Sequence, residues 1–156
     1  MVTVSDRAFR GEYQDRSGPL AVSLWQQHAA QMLPLRVVPD EAAAIAEAIE
    51  VSIVAGAEIV MTTGGTGIAP RDVTVEATRP LLDYEIPGLA EELRRLGSKS
   101  TSAAALSRGI VGVATVEGCR AIVANAPGST NAVREWVGYL ATLAPHLVDQ
   151  LRGGDH

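Results

Sequence analysis

Short apolar runs alternate with longer amphipathic segments along the chain, which predicts strands alternating with helices. The runs typical of buried strands are "VTVS", "LRVV" and "AEIVMTT", and each ends in a polar or glycine-rich turn. Among the amphipathic segments, "DEAAAIAEAIEVSIVAGA" places Ile45, Ile49 and Ile53 on one helical face at a spacing of four residues. The pattern therefore indicates that strands and helices follow one another through the first half of the chain.

Turn and cap residues extend this assignment to the rest of the chain. Ser17 is placed to cap the helix "SGPLAVSLWQQHAAQM", and Thr74 to cap "TVEATRPLL". Further helices are predicted in "PGLAEELRRLG", in a short segment "SAAALSRG" and from about Ser129 to Leu151. The segment "GIVGVATVEGCRAIVANAPG" changes to a period of two around Glu117 and Gly118, which indicates a hairpin or two adjacent strands.

Together these elements predict the α/β class: a single three-layer domain over residues 1–156, with a mainly parallel sheet, helices on both faces and a C-terminal strand hairpin. In such sheets ligands bind beyond the carboxyl ends of the strands. Four segments follow strands and should meet at that edge: Ser5-Asp6, Pro39-Asp40, Thr62–Asp72 and Asn125–Thr130.

Composition narrows the choice of ligand and compartment. The net charge is −5 and the pI about 5.1, which argues against nonspecific binding of nucleic acid. No apolar run approaches the roughly 20 residues of a membrane helix, and the first residues lack a signal-peptide pattern. The single cysteine, Cys119, is expected to be a small core residue and fits a reducing compartment. We therefore expect a cytoplasmic protein with neither nucleic acid nor membrane as a partner.

The stretch "TTGGTGIAPRDVT" carries the strongest chemical signal. Backbone N–H groups of a glycine-rich loop before a helix suit phosphate oxygens, and Thr63 and Thr66 would add hydroxyl donors. The alternative is a simple turn between strand and helix. An acid beside a phosphate, here Asp72, suits a Mg²⁺ ion held by one or two carboxylates plus substrate phosphates. The alternative for Asp72 is a helix cap or an ion pair with Arg71.

Two further side chains leave alternatives open. Asp40 is the natural second carboxylate, because its strand should end at the same edge, although this residue taken by itself favours a cap for the helix that begins at Glu41. Arg108, in "ALSRG", could clamp a phosphate or could be a solvated surface arginine. The histidines at 28, 146 and 156 show neither metal-ligand spacing nor a serine partner, which argues against a zinc site or a hydrolase triad.

Several segments together resemble the molybdopterin adenylyltransferases of the MogA/MoaB type, which include the G domain of gephyrin. The matching segments occur in the family's order and cover nearly the whole chain: "VSDRAFRGEYQDRSGP", "VVPDE", "TTGGTGIAPRDVTVEAT", "EIPGLAEELR", "AALSRG" and "NAPGST". The closing "VDQLRGGDH" is similar to that of actinobacterial members.

The resemblance implies a MogA-like fold, a homotrimer and a reaction of molybdenum cofactor biosynthesis. In this reaction a terminal phosphate of molybdopterin attacks the α-phosphate of ATP, in the presence of Mg²⁺, and gives adenylyl-molybdopterin and diphosphate. A molybdate-insertion enzyme is implied as a possible partner. By matching motif, Asp40 and Asp72 are implied as the catalytic and metal-binding acids. The substrate- and nucleotide-binding residues implied in the same way are Ser5, Asp6, Thr63, Gly64, Gly65, Thr66, Ser107, Pro127, Gly128 and Ser129.

Three other functions are compatible with the same motifs. The chain could be a MoaB-like paralogue that binds molybdopterin with little or no adenylyl transfer. A related domain occurs in CinA-type proteins, although those chains carry an additional deamidase domain. A scaffold role, such as gephyrin has, would depend on additional domains. The presence of both Asp40 and Asp72 favours the enzyme over the binding-only paralogue.

Overall fold

The computed structural model describes residues 1–154 of the chain. Within this range six strands form one sheet: β1 Val2–Val4, β2 Arg36–Val38, β3 Ile59–Thr63, β4 Leu82–Glu85, β5 Val111–Val116 and β6 Cys119–Ala126. The same described residues contain six α-helices: α1 Asp6–Phe9, α2 Ser17–Gln27, α3 Ala42–Val54, α4 Thr74–Thr78, α5 Pro87–Gly97 and α6 Thr130–Leu151. Short 3₁₀ segments follow α4 at Arg79–Leu81 and precede β5 at Ser102–Leu106.

The strand order across the sheet is β2-β1-β3-β6-β5-β4. Strands β2, β1, β3 and β6 are parallel, whereas β5 and β4 add antiparallel partners beyond β6. The predicted α/β class, mainly parallel sheet and C-terminal hairpin are thus confirmed. Because β1, β2, β3 and β6 are parallel, their carboxyl ends share one edge of the sheet.

The two faces of the sheet carry separate hydrophobic cores, as expected for three layers. One core packs α2, α5 and α6 against side chains such as Met61 and Ile122. The other packs α3 and α4 against Val60 and Val123. Neighbouring residues of one strand therefore enter opposite cores, which is the two-residue period of a pleated strand covered on both faces. No helix within residues 1–154 combines the length and apolar character that crossing a membrane requires.

Several boundaries differ from the sequence-based predictions. Helix α2 ends at Gln27 rather than near Met32, because Ala29 takes a positive φ of 59° that a helix cannot continue. Strand β4 was not predicted at all: it is a short edge strand with three of its four residues exposed, and its first residue, Leu82, was assigned to the predicted helix "TVEATRPLL". The segment after Ser129 is one helix of 22 residues that includes Pro145, not several helices.

Both predicted helix caps were also wrong. Helix α2 receives its cap from Asp15, whose Oδ1 accepts from the N–H groups of Ser17 and Gly18 at 3.0 and 3.1 Å. Thr74 is the first residue of α4 rather than its cap, and its hydroxyl donates to the carbonyl of Gly64 at 2.9 Å. Thr74 therefore fastens α4 to the glycine loop, which a cap would not do.

Cys119 is only half-buried, where it packs at the edge of the second core. His28 and His146 lie at the surface, as expected. Asp155 and His156, the end of the segment similar to actinobacterial members, lie outside the described residues.

Candidate functional site

Two strand-to-helix corners lie side by side at the carboxyl edge of the sheet. β3 and β6 are adjacent, with Thr63 opposite Ala126. The N–H of Gly64 donates to the carbonyl of Ala126 at 3.0 Å, and the hydroxyl of Thr63 donates to the carbonyl of Pro127 at 3.0 Å. A Cβ placed on Gly128 would lie 3.3 Å from the Cα of Gly64. The glycine loop after β3 and the turn after β6 thus form one continuous surface.

The two glycines that open the loop are required by its backbone. Gly64 and Gly65 have φ values of 103° and 62°, which L side chains rarely adopt. A Cβ on Gly64 would lie 2.3 Å from the carbonyl oxygen of Val4, and one on Gly65 would lie 2.2 Å from Oγ1 of Thr74. The loop is therefore packed directly on the backbone of β1 and on α4.

Within residues 1–154, several consecutive N–H groups of the glycine loop have no protein acceptor. In the described residues, the N–H groups of Gly65, Thr66 and Gly67 donate to no protein oxygen. Backbone N–H groups that point out of a glycine-rich turn form an anion-binding concavity. This geometry favours the phosphate interpretation of the loop over a simple turn.

Asp72 lies at the far end of the same loop. Its Oδ2 accepts from the N–H of Ala69 at 2.9 Å, and its own N–H donates to the carbonyl of Ala69 at 2.9 Å. A Cβ on Gly67 would lie 2.8 Å from Oδ2. Asp72 is therefore neither a helix cap nor the ion-pair partner of Arg71. Its Oδ1 has no protein partner in residues 1–154, which leaves one carboxylate oxygen free for a ligand.

Asp40 stands on the other side of the loop. Its Oδ2 accepts from the N–H of Asp6 at 2.8 Å, while Oδ1 of Asp6 accepts from the N–H of Asp40 at 3.0 Å. A Cβ on Gly65 would lie 3.4 Å from Oδ1 of Asp40. The alternative of a cap for α3 is wrong, because Glu41 occupies the cap position and the Asp40 side chain turns to α1.

Ser5 and Asp6 also reach this edge, but their side chains have structural partners. Oγ of Ser5 caps α1 by accepting from the N–H of Ala8 at 3.3 Å. The side chain of Asp6 is held by the reciprocal pair with Asp40. Together these contacts join the ends of β1 and β2 beside the glycine loop.

A cavity of about 580 Å³ opens on the glycine loop. The predicted site residues that line it are Gly64, Gly65, Thr66, Asp72, Ser107, Pro127, Gly128 and Ser129. Four others do not line it: Ser5, Asp6, Asp40 and Thr63. Thr63 is fully buried with its hydroxyl engaged by Pro127, so it does not supply the hydroxyl donor that the sequence suggested. Of the two predicted acids, only Asp72 faces the cavity.

The opposite wall of the cavity was not predicted from the sequence. It comes from α5, the 3₁₀ segment and the start of α6, with Leu93, Ala104 and Trp136 as apolar lining and Glu135 as an acid. These residues are far from the glycine motifs along the chain, and on helices they read as ordinary amphipathic positions. The glycine loop therefore forms one end of a cavity whose other end combines apolar side chains with polar ones, such as Arg94 and Ser100.

A buried hydrogen-bond network connects α4, which follows the glycine loop, to strands β3 and β6. Nδ2 of Asn125 donates to the hydroxyls of Thr62 and Thr78 at 3.1 and 3.0 Å, and the hydroxyl of Thr78 donates to the carbonyl of Thr74 at 2.8 Å. All four residues are fully buried. The sequence signal was the polar Asn125 inside the apolar run of β6, since a buried amide needs partners. The network ties α4, and through Thr74 the glycine loop, to β3 and β6.

A second cavity of about 640 Å³ lies at the amino ends of the strands. It is lined mostly by apolar side chains, including Trp25, Met61 and Val148. None of the predicted site residues lines it. The smaller cavity is the candidate site, because of these two cavities of residues 1–154 it is the one that combines N–H groups lacking a protein acceptor with a carboxylate at the carboxyl edge of the sheet.

These features define an α/β protein with a cavity at the carboxyl edge of a mainly parallel sheet. Residues 1–146 match the family described as "Probable molybdopterin binding domain". The chain belongs to this family, and the resemblance seen in the sequence is confirmed.

Relatives and solved structures agree with this assignment. The chain is 39% identical over its full length to a molybdenum cofactor biosynthesis bifunctional protein of Synechococcus elongatus, of which it spans 48%. It is 32% identical to the molybdopterin adenylyltransferase of Pyrococcus furiosus, with 97% of this chain and 89% of the relative covered. A molybdopterin biosynthesis protein of Mycobacterium abscessus superposes with a TM-score of 0.89 at 37% identity, covering 97% of this chain and 94% of that one.

The CinA-type alternative receives support for the fold alone. A CinA structure from Thermoplasma acidophilum superposes with a TM-score of 0.61 at 16% identity, covering 94% of this chain and 95% of that one. At that identity, shared architecture carries no information about the reaction.

Proposed function

We propose that the protein is a Mg²⁺-dependent molybdopterin adenylyltransferase of molybdenum cofactor biosynthesis. The observation that carries the proposal is that Gly65, Thr66 and Gly67, whose N–H groups have no protein acceptor in residues 1–154, line one cavity together with Asp72. Relatives named molybdopterin adenylyltransferase, at 32–39% identity, support the same activity.

The donor set fits Mg²⁺ bound to a nucleotide. Mg²⁺ is usually held by one or two carboxylates plus substrate phosphates. Oδ1 of Asp72 is free and lies next to amides suited to phosphate, and Oδ1 of Asp40 approaches Gly65 from the other side. When bound, Mg²⁺ would reduce the negative charge that opposes attack on the α-phosphate.

The residues of the chain would act mainly by placing the reactants. The N–H groups of the loop would hold the phosphates of ATP, so that a phosphate oxygen of molybdopterin can approach the α-phosphorus in line. The new P–O bond forms as the bond to diphosphate breaks, and diphosphate leaves with the electron pair. Ala104 and Leu106, the more exposed apolar residues of the opposite wall, would receive a flat ring and help to exclude water from the reacting phosphates.

The remaining expectations belong to the same proposal. The protein would work in the cytoplasm as a homotrimer and pass its product to a molybdate-insertion enzyme. They rest on the family resemblance, and the fold is compatible with them.

A direct assay tests the activity. The protein is incubated with molybdopterin, ATP and Mg²⁺, and the products are examined by mass spectrometry. We expect adenylylated molybdopterin and diphosphate in equal amounts, and neither of them when Mg²⁺ is removed with a chelator. Binding of molybdopterin without any adenylylated product would contradict the proposal.

One observation favours the second candidate function, a paralogue that binds molybdopterin without transferring AMP. Asp40 does not line the cavity and has its Oδ2 engaged by the N–H of Asp6. A site with a single free carboxylate would bind Mg²⁺ more weakly than one with two. The same assay separates the candidates, since a binding-only protein would retain molybdopterin and leave ATP unchanged.

Replacement of Asp40 by asparagine is expected to lower AMP transfer about 10- to 100-fold with little loss of stability. The amide oxygen of asparagine can still accept from the N–H of Asp6, so the variant removes mainly the negative charge. Asp40→Ala should additionally lower the free energy of unfolding by about 1–2 kcal/mol, because the N–H of Asp6 loses its acceptor. Rates across a Mg²⁺ titration and urea denaturation measure the two effects. Wild-type rates in Asp40→Asn would assign Asp40 a purely structural role.

A further inference from the structure

Arg108 has more hydrogen bonds to the site loop than any predicted site residue. Its Nε donates to the carbonyl of Gly67 and its Nη2 to the carbonyl of Asp72, both at 2.6 Å. Its own backbone N–H donates to the carbonyl of Thr66 at 2.8 Å. One residue therefore binds three carbonyl groups of the loop that runs from Thr66 to Asp72.

The guanidinium of Arg108 is also held by an acidic side chain of α4. Nη1 and Nη2 of Arg108 both donate to the carboxylate of Glu76 on α4. Hydrogen bonding from Arg108 is the main reason why the pKa of Glu76 lies below its ordinary value of 4.5. Because the pKa of Glu76 is lowered in the folded state, its carboxylate stays ionised and bound to Arg108 at all pH values above its ordinary pKa. The contact is lost only as the pH falls through the lowered pKa. The pair is therefore intact at neutral pH.

Neither sequence-based alternative for Arg108 describes this arrangement. A bidentate phosphate clamp needs at least two free guanidinium donors, but four of the five N–H donors of Arg108 already bind protein oxygens. A solvated arginine would not order a backbone, yet this side chain is only 36% exposed and bridges two segments. A planar guanidinium suits such a role because its donors point in fixed, separate directions.

We propose that Arg108 is a positioning residue that fixes the backbone of Gly67 and Asp72, and thereby aims the Asp72 carboxylate and the loop N–H groups at the bound nucleotide. The consequence for Mg²⁺ rests on the proposed function, whereas the ordering of the loop does not. Arg108 would touch neither substrate and would act only through the loop.

The chain supplies a matched control in Arg95. This arginine donates two hydrogen bonds to Glu92, both at 2.6 Å, and its side chain is 59% exposed. It makes the same kind of arginine–glutamate pair, but the structure gives it no backbone carbonyl partner and it does not line the cavity. Arg95→Ala therefore removes the same charge and the same kind of ion pair as Arg108→Ala, but at a position that is remote from the loop.

The first measurement is hydrogen–deuterium exchange of the loop in the full-length protein. In Arg108→Ala, a peptide over residues 64–74 should exchange about tenfold faster than in the wild type, while Arg95→Ala leaves it unchanged. Arg108→Lys should behave like Arg108→Ala, since one ammonium cannot replace two separated donors. Unchanged exchange in Arg108→Ala, or wild-type exchange in Arg108→Lys, would overturn the proposal.

The second measurement follows binding of ATP at increasing Mg²⁺ by calorimetry. Arg108→Ala and Arg108→Lys should need about tenfold more Mg²⁺ for half-maximal ATP binding, whereas Arg95→Ala should match the wild type. Glu76→Gln keeps both carbonyl contacts of Arg108 and should stay within about twofold of the wild type. If Glu76→Gln were as damaging as Arg108→Ala, the ion pair rather than the carbonyl contacts would order the loop, and the proposal would be wrong.

The two measurements separate this inference from the proposed function. A wild-type protein that binds ATP without Mg²⁺ dependence would remove the metal role of Asp72, and the exchange experiment would still decide whether Arg108 orders the loop. Should Arg108→Ala fail to fold, Arg108→Lys retains the charge and carries both measurements.

Discussion

Replacement of Asp72 by asparagine is expected to reduce AMP transfer to molybdopterin by at least about 100-fold while the protein stays folded. Asp72 is the one predicted acid that lines the cavity, and its Oδ1 is free to bind a cation. Asparagine has nearly the same shape, and its amide oxygen can still accept from the N–H of Ala69. The substitution therefore removes the charge and leaves the turn in place.

The comparison with Asp72→Ala separates chemistry from folding. Alanine removes both the charge and the acceptor for Ala69, so this variant should be equally inactive and also less stable by about 1 kcal/mol. Product formation by mass spectrometry and unfolding in urea measure the two effects. If Asp72→Asn transferred AMP at nearly the wild-type rate, the carboxylate of Asp72 would not be needed to hold Mg²⁺. The main argument for catalysis would then be wrong.

The largest effect on stability is expected at Gly64. Gly64→Ala should lower the free energy of unfolding by about 3 kcal/mol or more, because a left-handed backbone and a steric clash act together. The φ of Gly64 is 103°, and its Cβ would lie 2.3 Å from the carbonyl oxygen of Val4, a main-chain atom of β1 that cannot turn away as a flexible side chain would. In the fraction of Gly64→Ala that still folds, the glycine loop should no longer pack on the sheet.

Gly118 provides the control for this prediction. Its φ of 81° is similarly left-handed, but a Cβ there would meet no atom within 4 Å. Gly118→Ala should therefore cost only about 1 kcal/mol. Urea denaturation of the two variants beside the wild type measures the difference. Equal losses at the two positions would mean that the close approach of Gly64 to Val4 is unimportant.

The sequence predicted those parts of the fold that depend on local pattern. Ile45, Ile49 and Ile53 were placed on one helical face by their spacing, and all three are fully buried. The carboxyl edge of the sheet was predicted from the order of strands, and the structure brings Asp40 and the glycine loop together there. Periodicity and strand order are properties of the chain itself, so they can be read without knowing which side chains meet.

What could not be predicted depends on contacts between distant segments. The hydroxyl of Thr63 was expected at the ligand, but the pairing of β3 with β6 directs it to Pro127. Arg108 was expected to be solvated or to bind phosphate, and its carbonyl partners are brought to it only by the path of the loop. Polar side chains in particular choose among several partners, and the choice is set by tertiary structure rather than by propensity.

The register of the sheet has a consequence for how the protein acquires its structure. The turn between β5 and β6 consists of Glu117 and Gly118, both at positive φ, so these strands can pair within microseconds from a local nucleus. The parallel pairs, such as Thr62 with Asn125, join segments separated by long intervening chain and must wait for loop closure. We therefore expect the corner that carries the cavity to form after the β5–β6 hairpin, whose free edge can then pair with β3.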